Sequence, residues 1–136
     1  RRSFWAEVGG CHLAPVGGGD TLLCAALTGR WADFEAEMTA QSPSSWQHYR
    51  EWASSVFTWS GGQLAVADNE LVHQYHGSQE NRRYDARRSY LSGFDPASHV
   101  TTESGGLPGW SDHVRSHRPA LVQAVASHFV KRREDD

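Results

Sequence analysis

With 136 residues, 38% of them hydrophobic, and six tryptophans, the chain can build one ordinary domain with a core and does not have the composition of a disordered segment. No apolar run approaches the roughly 20 residues that a membrane-spanning helix needs. A formal charge of −3 with acids and bases intermixed excludes a general nucleic-acid surface. The mean hydropathy of −0.61 is low for a large self-contained core. The thirteen basic residues include a single lysine, Lys131. Arginine's planar fork suits bidentate contact with carboxylates or phosphates, although a bias in gene composition would give the same excess.

Residues 1–10, RRSFWAEVGG, hold neither Met nor the apolar centre of a signal peptide. They read as a stretch that begins within a domain, in a cytoplasmic protein. Residues 3–8 form a short helix or the end of a strand, broken by Gly9 and Gly10. Gly17, Gly18 and Gly19 then permit positive φ and close backbone approach. Asp20 opens a helix with Leu22, Leu23, Ala26 and Leu27 on helical spacing, stopped at Gly29. Asp20 therefore reads as that helix's N-cap, worth about 1 kcal/mol, or as a carboxylate shown to a ligand that the glycines make room for. A phosphate-binding loop is rejected, because the run lacks Lys-Ser/Thr and its acid would repel phosphate. Cys24, in this apolar run, is expected to be a buried thiol. Cys11 and Cys24 make a weak case for a disulfide, and without a CxxC pair a thiolate zinc site is not expected.

Residues 30–43 are mixed, with Trp31 and Phe34 as packing groups. Ser42-Pro43-Ser44-Ser45 starts a helix that runs to about Ser60, with Trp46, Tyr49, Trp52, Ala53, Val56 and Phe57 on one face. Gly61 and Gly62 end it. Residues 63–67 and 71–75 are strand candidates joined by Asp68-Asn69. Residues 79–92 read as one helix with Tyr84 and Leu91 inward, ended by Gly93. Residues 94–99 and 100–110 read as loops. Ser111 and Asp112 cap a final helical region that Pro119 divides, and Leu121, Val122, Val125 and Phe129 give its second half an apolar stripe. The fold class is α+β, mostly helical with a few short strands, in one domain or part-domain over residues 1–136.

The densest chemistry lies in residues 70–88, ELVHQYHGSQENRRYDARR. In one regular strand over 71–76, His73 and His76 point to opposite faces and cannot chelate one ion together. His73 reads as a packing histidine. His76, at a strand end beside Gly77, reads equally as packing or as a ligand. His12, His48, His99, His113, His117 and His128 form no constellation by spacing. Tyr84, Arg87 and Arg88 are most simply helix packing and a solvated face.

GGGD (17–20), LVHQYHG (71–77), NRRYDARR (81–88), FDP (94–96) and FVKRRED (129–135) follow one another in this order. That ordered set resembles the C-terminal half of GT-A-type nucleotide-sugar glycosyltransferases, and more narrowly bacterial and phage-associated glycosyltransferase-like proteins. The resemblance spans nearly the whole chain and implies the acceptor-side portion of a GT-A-like fold. By it, Asp20 is the general base on the acceptor hydroxyl, and Gly18 and Gly19 border the substrate. His76 ligates a divalent metal, Mn or Mg, with His73 as the other choice. Arg82, Arg83 and Arg87, with Arg88, are candidates for the donor diphosphate. The implied partners are a nucleotide-sugar donor and a glycan or protein acceptor. The residue types suit the chemistry: a carboxylate takes the acceptor's proton, and metal and arginines stabilise the departing diphosphate. One imidazole among oxygens suits Mn better than Mg. The sequence contains no Asp-x-Asp, the acidic metal motif of the nucleotide-binding half. The chain is therefore expected to be inactive alone, to work with a separate chain or a preceding half, or to serve as a non-catalytic binding or assembly module.

Overall fold

The longest periodic stretch of the sequence becomes the longest helix, and the rest of the core is laid against it. A computed structural model describes residues 2–11, 13–65, 68, 79–83, 87–102 and 108–132. Helix α4 (Pro43–Ser60) has Pro43 at its first turn and Ser42 as N-cap, the hydroxyl accepting from the Ser45 amide at 3.0 Å. It stops at Gly61, whose φ of 62° is a left-handed conformation that glycine takes without steric cost. Its buried face is Ser45, Tyr49, Trp52, Ala53 and Val56, the three-and-four spacing of one helical stripe.

Helices α1 (Arg2–Val8), α2 (Gly19–Leu27) and α3 (Glu35–Gln41) pack on α4, with a 3-10 turn over Trp31–Phe34 between α2 and α3. Tyr49 is fully buried, and its hydroxyl donates to the Leu22 carbonyl of α2 at 3.0 Å. Burial pushes that hydroxyl well above its ordinary pKa, so it stays a donor. Trp52 donates its indole N–H to the Gly9 carbonyl at 3.4 Å, which ties the end of α1 to the same helix. Met38, Leu22, Ala26, Val56, Leu91 and Phe94 fill the space between, each large side chain contributing about 1.5–3 kcal/mol by leaving water.

The second half of the chain is shorter in its elements: α5 (Gln79–Arg82), a 3-10 turn over Arg87–Leu91, α6 (Pro96–His99), strands β1 (Val100–Thr102) and β2 (Pro108–Trp110), α7 (Asp112–His117) and α8 (Pro119–Arg132). The strands pair antiparallel, with Val100 opposite Trp110 and Thr102 opposite Pro108. The fold is thus α+β and mostly helical. Among the described residues no helix is long and apolar enough to cross a membrane.

Several local expectations are corrected. Residues 63–65 form no regular element, and the other strand candidates, 66–67 and 71–75, lie outside the described residues. The observed strands fall in the stretch read as loop. There a β-branched run, Val100-Thr101-Thr102, finds a partner, and Pro108 starts a strand, a position proline tolerates. The helix expected over 79–92 is interrupted at Arg83, whose φ of 46° is disfavoured for a side-chain-bearing residue. Residues 94–99 hold α6 rather than a loop, because Asp95 caps it and Pro96 opens it. Phe129 is 48% exposed, whereas His128 is 2% exposed. The α8 stripe is Leu121, Val125, His128, at steps of four and three, and Phe129 falls off it. Cys24 is exposed and Cys11 is half-buried, both as free thiols. The face of α2 that packs is Leu22, Ala25 and Ala26, and Cys24 lies a half-turn away.

Candidate functional site

A cleft of about 340 Å³ opens where four parts of the chain meet. One wall is the segment that carries Cys11, Ala14 and Pro15. Phe94 forms the floor, Pro108 and Trp110 come from the β-hairpin, and Val125 from α8. Phe94 is fully buried and is fixed at its backbone: its carbonyl accepts from the hydroxyls of Ser45 (2.8 Å) and Ser42 (2.6 Å), and its amide donates to the Leu91 carbonyl (2.8 Å). Trp110 meets it edge-on, centroids 6.1 Å apart at 88°, a favourable aromatic geometry. The walls are chiefly apolar. Cys11 supplies the thiol, and burial pushes its pKa up to about 11, so it is protonated at neutral pH and is no nucleophile.

The glycine run adjoins the first wall. The Gly17 amide donates to the Ala14 carbonyl at 2.9 Å, closing a turn. Gly17 and Gly18 have φ of 93° and 94°, and Gly18, not Asp20, is the N-cap of α2. Both glycines are thus required by backbone geometry. At Gly19 a Cβ would sit 3.6 Å from the Ala14 side chain, an ordinary contact. Gly19 therefore lies against a residue of the cleft wall. Asp20 follows it, exposed in the first turn of α2, where the helix dipole favours a negative charge.

The arginines lie on segments that do not line the cleft. Arg82 is half-buried on α5, which packs against α8. Arg83 is exposed and donates from Nη1 to the Tyr90 hydroxyl at 3.2 Å. Arg88 forms an ion pair with Glu37 of α3, a tie between elements. Arg87 begins a 3-10 turn, and its side chain lies outside the described residues, as do His73, His76 and Tyr84. Among the described residues, no three His, Cys, Asp or Glu side chains are grouped to hold a metal ion. Of the expected site residues, Gly19 lies against the Ala14 side chain of the cleft wall, and neither Asp20 nor Arg82 nor Arg83 is among the residues that line the cleft.

Sequence reasoning missed Asp95 and the histidines near it. The Asp95 carboxylate accepts from the hydroxyls of Ser44 and Ser98 and from the Ala97 amide. These bonds, that from Ser44 foremost, lower its pKa below the ordinary value. His99 is buried, and its Nδ1 accepts from the Asp95 amide at 3.0 Å. Burial holds its pKa down, aided by the Arg118 guanidinium. The available signal was the serine-rich 42–45 run, whose hydroxyls serve Phe94 and Asp95 as well as their own helix.

No protein-family model, no curated protein and no solved structure matches the chain.

Proposed function

We propose that this chain forms the acceptor-side part of a metal-dependent glycosyltransferase, which moves a sugar from a nucleotide-sugar donor to a hydroxyl of a glycan or protein acceptor in the cytoplasm. The observation that carries the reading is the meeting, in one cleft, of the segment that leads into one motif and a residue of another far away in sequence. The segment leading into GGGD forms one wall of the cleft, and Phe94 of FDP forms its floor. Trp110 adds an aromatic side chain to the same cleft, and such a ring can lie against the apolar face of a sugar. In this reading the acceptor rests in the cleft and Asp20, exposed in the first turn of α2, takes the proton from its hydroxyl as the new bond forms. His76 contributes an imidazole to a Mn or Mg ion that would neutralise the departing diphosphate. Arg82, Arg83 and Arg87 are the diphosphate contacts, with Arg83 needing to exchange its Tyr90 bond for phosphate. Donor binding requires a nucleotide-binding body, since the sequence has no Asp-x-Asp.

A second reading is favoured by the apolar lining of the cleft. A non-catalytic module would hold a glycan or an apolar group there without transfer.

The two separate on Asp20→Asn in the gene-encoded polypeptide that contains this chain, assayed with Mn²⁺, nucleotide sugars and an aryl glycoside. The enzyme reading predicts that transfer falls by about a hundredfold or more, with donor affinity unchanged by calorimetry. Transfer undiminished by the substitution removes Asp20 as base. Absence of transfer in the unsubstituted polypeptide, with the aryl glycoside still bound, leaves the binding module.

A further inference from the structure

The groups that line the cleft limit what can enter it. The side chains of Ala14, Pro15, Phe94, Val100, Trp110 and Val125 carry no oxygen, and the Trp110 indole N–H is their one hydrogen-bonding group. Much of the wall's backbone is engaged as well. The Ala14 carbonyl accepts from the Gly17 amide, the Phe94 amide and carbonyl serve Leu91, Ser45 and Ser42, and the Trp110 carbonyl accepts from Arg115 Nε. Pro15 and Pro108 have no amide hydrogen. Cys11 adds a thiol, a weak donor, which burial keeps protonated and uncharged at neutral pH. Among the described residues no charged side chain lines the cleft, so a charged group that entered it would lose water without compensation.

A sugar ring set in this cleft would bury several hydroxyls that lose their bonds to water and find few in return. An aromatic ring carries no such penalty. It takes apolar area out of water, and Trp110 and Phe94, already edge-to-face at 6.1 Å and 88°, offer a third ring the same kind of contact. The space suffices: the cleft's about 340 Å³ exceeds the about 150 Å³ of an apolar cavity that holds benzene. Resting on the acceptor reading of this cleft, we propose that the part of the acceptor it holds is an uncharged aromatic ring, a phenol or the aryl group of a glycoside, with any sugar left in water at the mouth. The acceptor is thereby narrowed from any glycan or protein hydroxyl to one borne on, or next to, an aromatic ring.

The test is calorimetric titration of the whole chain with phenol, phenyl β-glucoside and methyl β-glucoside, without donor or metal ion, with the Trp110 indole N–H followed by NMR. Phenyl glucoside is expected to bind about 10–100-fold more tightly than methyl glucoside, the worth of burying one ring, and phenol alone is expected to shift the Trp110 indole signal. Val100→Thr keeps the β-branched shape that suits β1 and puts a hydroxyl in the wall. It is expected to weaken phenol several-fold with circular dichroism unchanged. Equal affinity for the two glucosides, or a Trp110 signal that moves with methyl glucoside and not with phenol, overturns the aromatic ring and leaves the cleft to a sugar. Phenol that fails to bind, or binds away from Trp110, overturns it as well. Phenol bound at Trp110 supports the proposal even where the gene-encoded polypeptide transfers no sugar, a result that would count against the glycosyltransferase reading alone.

Discussion

At the scale of single residues, Asp95 joins more of the structure than its motif suggests. Its backbone amide serves His99, and its carboxylate gathers Ser44 from α4 together with Ser98 and Ala97 from α6. The stability it adds depends on pH with a definite sign. Its folded pKa lies below its unfolded value near 3.8, so its contribution is complete above that value and is lost as pH falls through the folded pKa. Asp95→Ala should cost about 1 kcal/mol at neutral pH, the usual worth of an N-cap. In urea unfolding the gap between variant and parent should narrow below pH 3.8. A gap that does not change with pH would show that the carboxylate's charge is irrelevant. The Asp-Pro pair read in the sequence as part of a loop, where the fold has Asp95 capping α6. Its partner Ser44 was not legible, because the serine-rich 42–45 run announces a helix start and carries no sign of which distant residue its hydroxyls will meet.

At the scale of elements, glycine positions explain why some boundaries were legible. Gly61 after the aromatic run and Gly29 after the leucine run both have positive φ, and both end helices where the periodicity ends. The start of α2 was read two residues late because an aspartate is a stronger capping signal than a glycine. Gly18 holds the cap position with φ 94° and ψ 7°, and a left-handed conformation costs a side-chain-bearing residue about 1–2 kcal/mol. Gly18→Ala should therefore destabilise by that amount in thermal or denaturant unfolding. Gly10→Ala has open space around its Cβ and no positive φ, and should be neutral or stabilise by about 0.4–1 kcal/mol through the unfolded chain. Equal effects at the two positions would contradict the assigned turn. The hairpin escaped notice for a related reason: its strands are three residues each, too short for alternation to register, and the glycines and proline between and within them read as loop.

At the scale of the whole molecule, the cleft is a product of assembly. Its wall precedes α2, its floor follows the 3-10 turn at Leu91, its rim is the hairpin and its back is α8. The mostly helical α+β class was legible, since it follows from periodicity and breakers along each segment. Which segments meet was not, since pairing between distant stretches leaves no periodic trace in one sequence. Trp110 shows the difference: in the sequence it is an aromatic in a Gly-Pro-rich loop, and in the fold it stands edge-on to a buried phenylalanine over a cavity. The ordered motifs supplied the idea of an acceptor site, and the fold supplies a cavity between Phe94 of one motif and the segment that precedes another.

The central claim is that the acceptor is held in this cleft beside Asp20. Chemical-shift mapping by ¹H–¹⁵N NMR of the whole chain, titrated with an aryl glycoside, tests it most directly. The account predicts that the Trp110 indole N–H and the backbone amides of Cys11, Ala14, Gly19 and Asp20 shift together along one binding curve, and that Trp110→Ala abolishes the response. Binding that leaves Trp110 and Gly19 unmoved, or that shifts only resonances of α1 and α4, contradicts it.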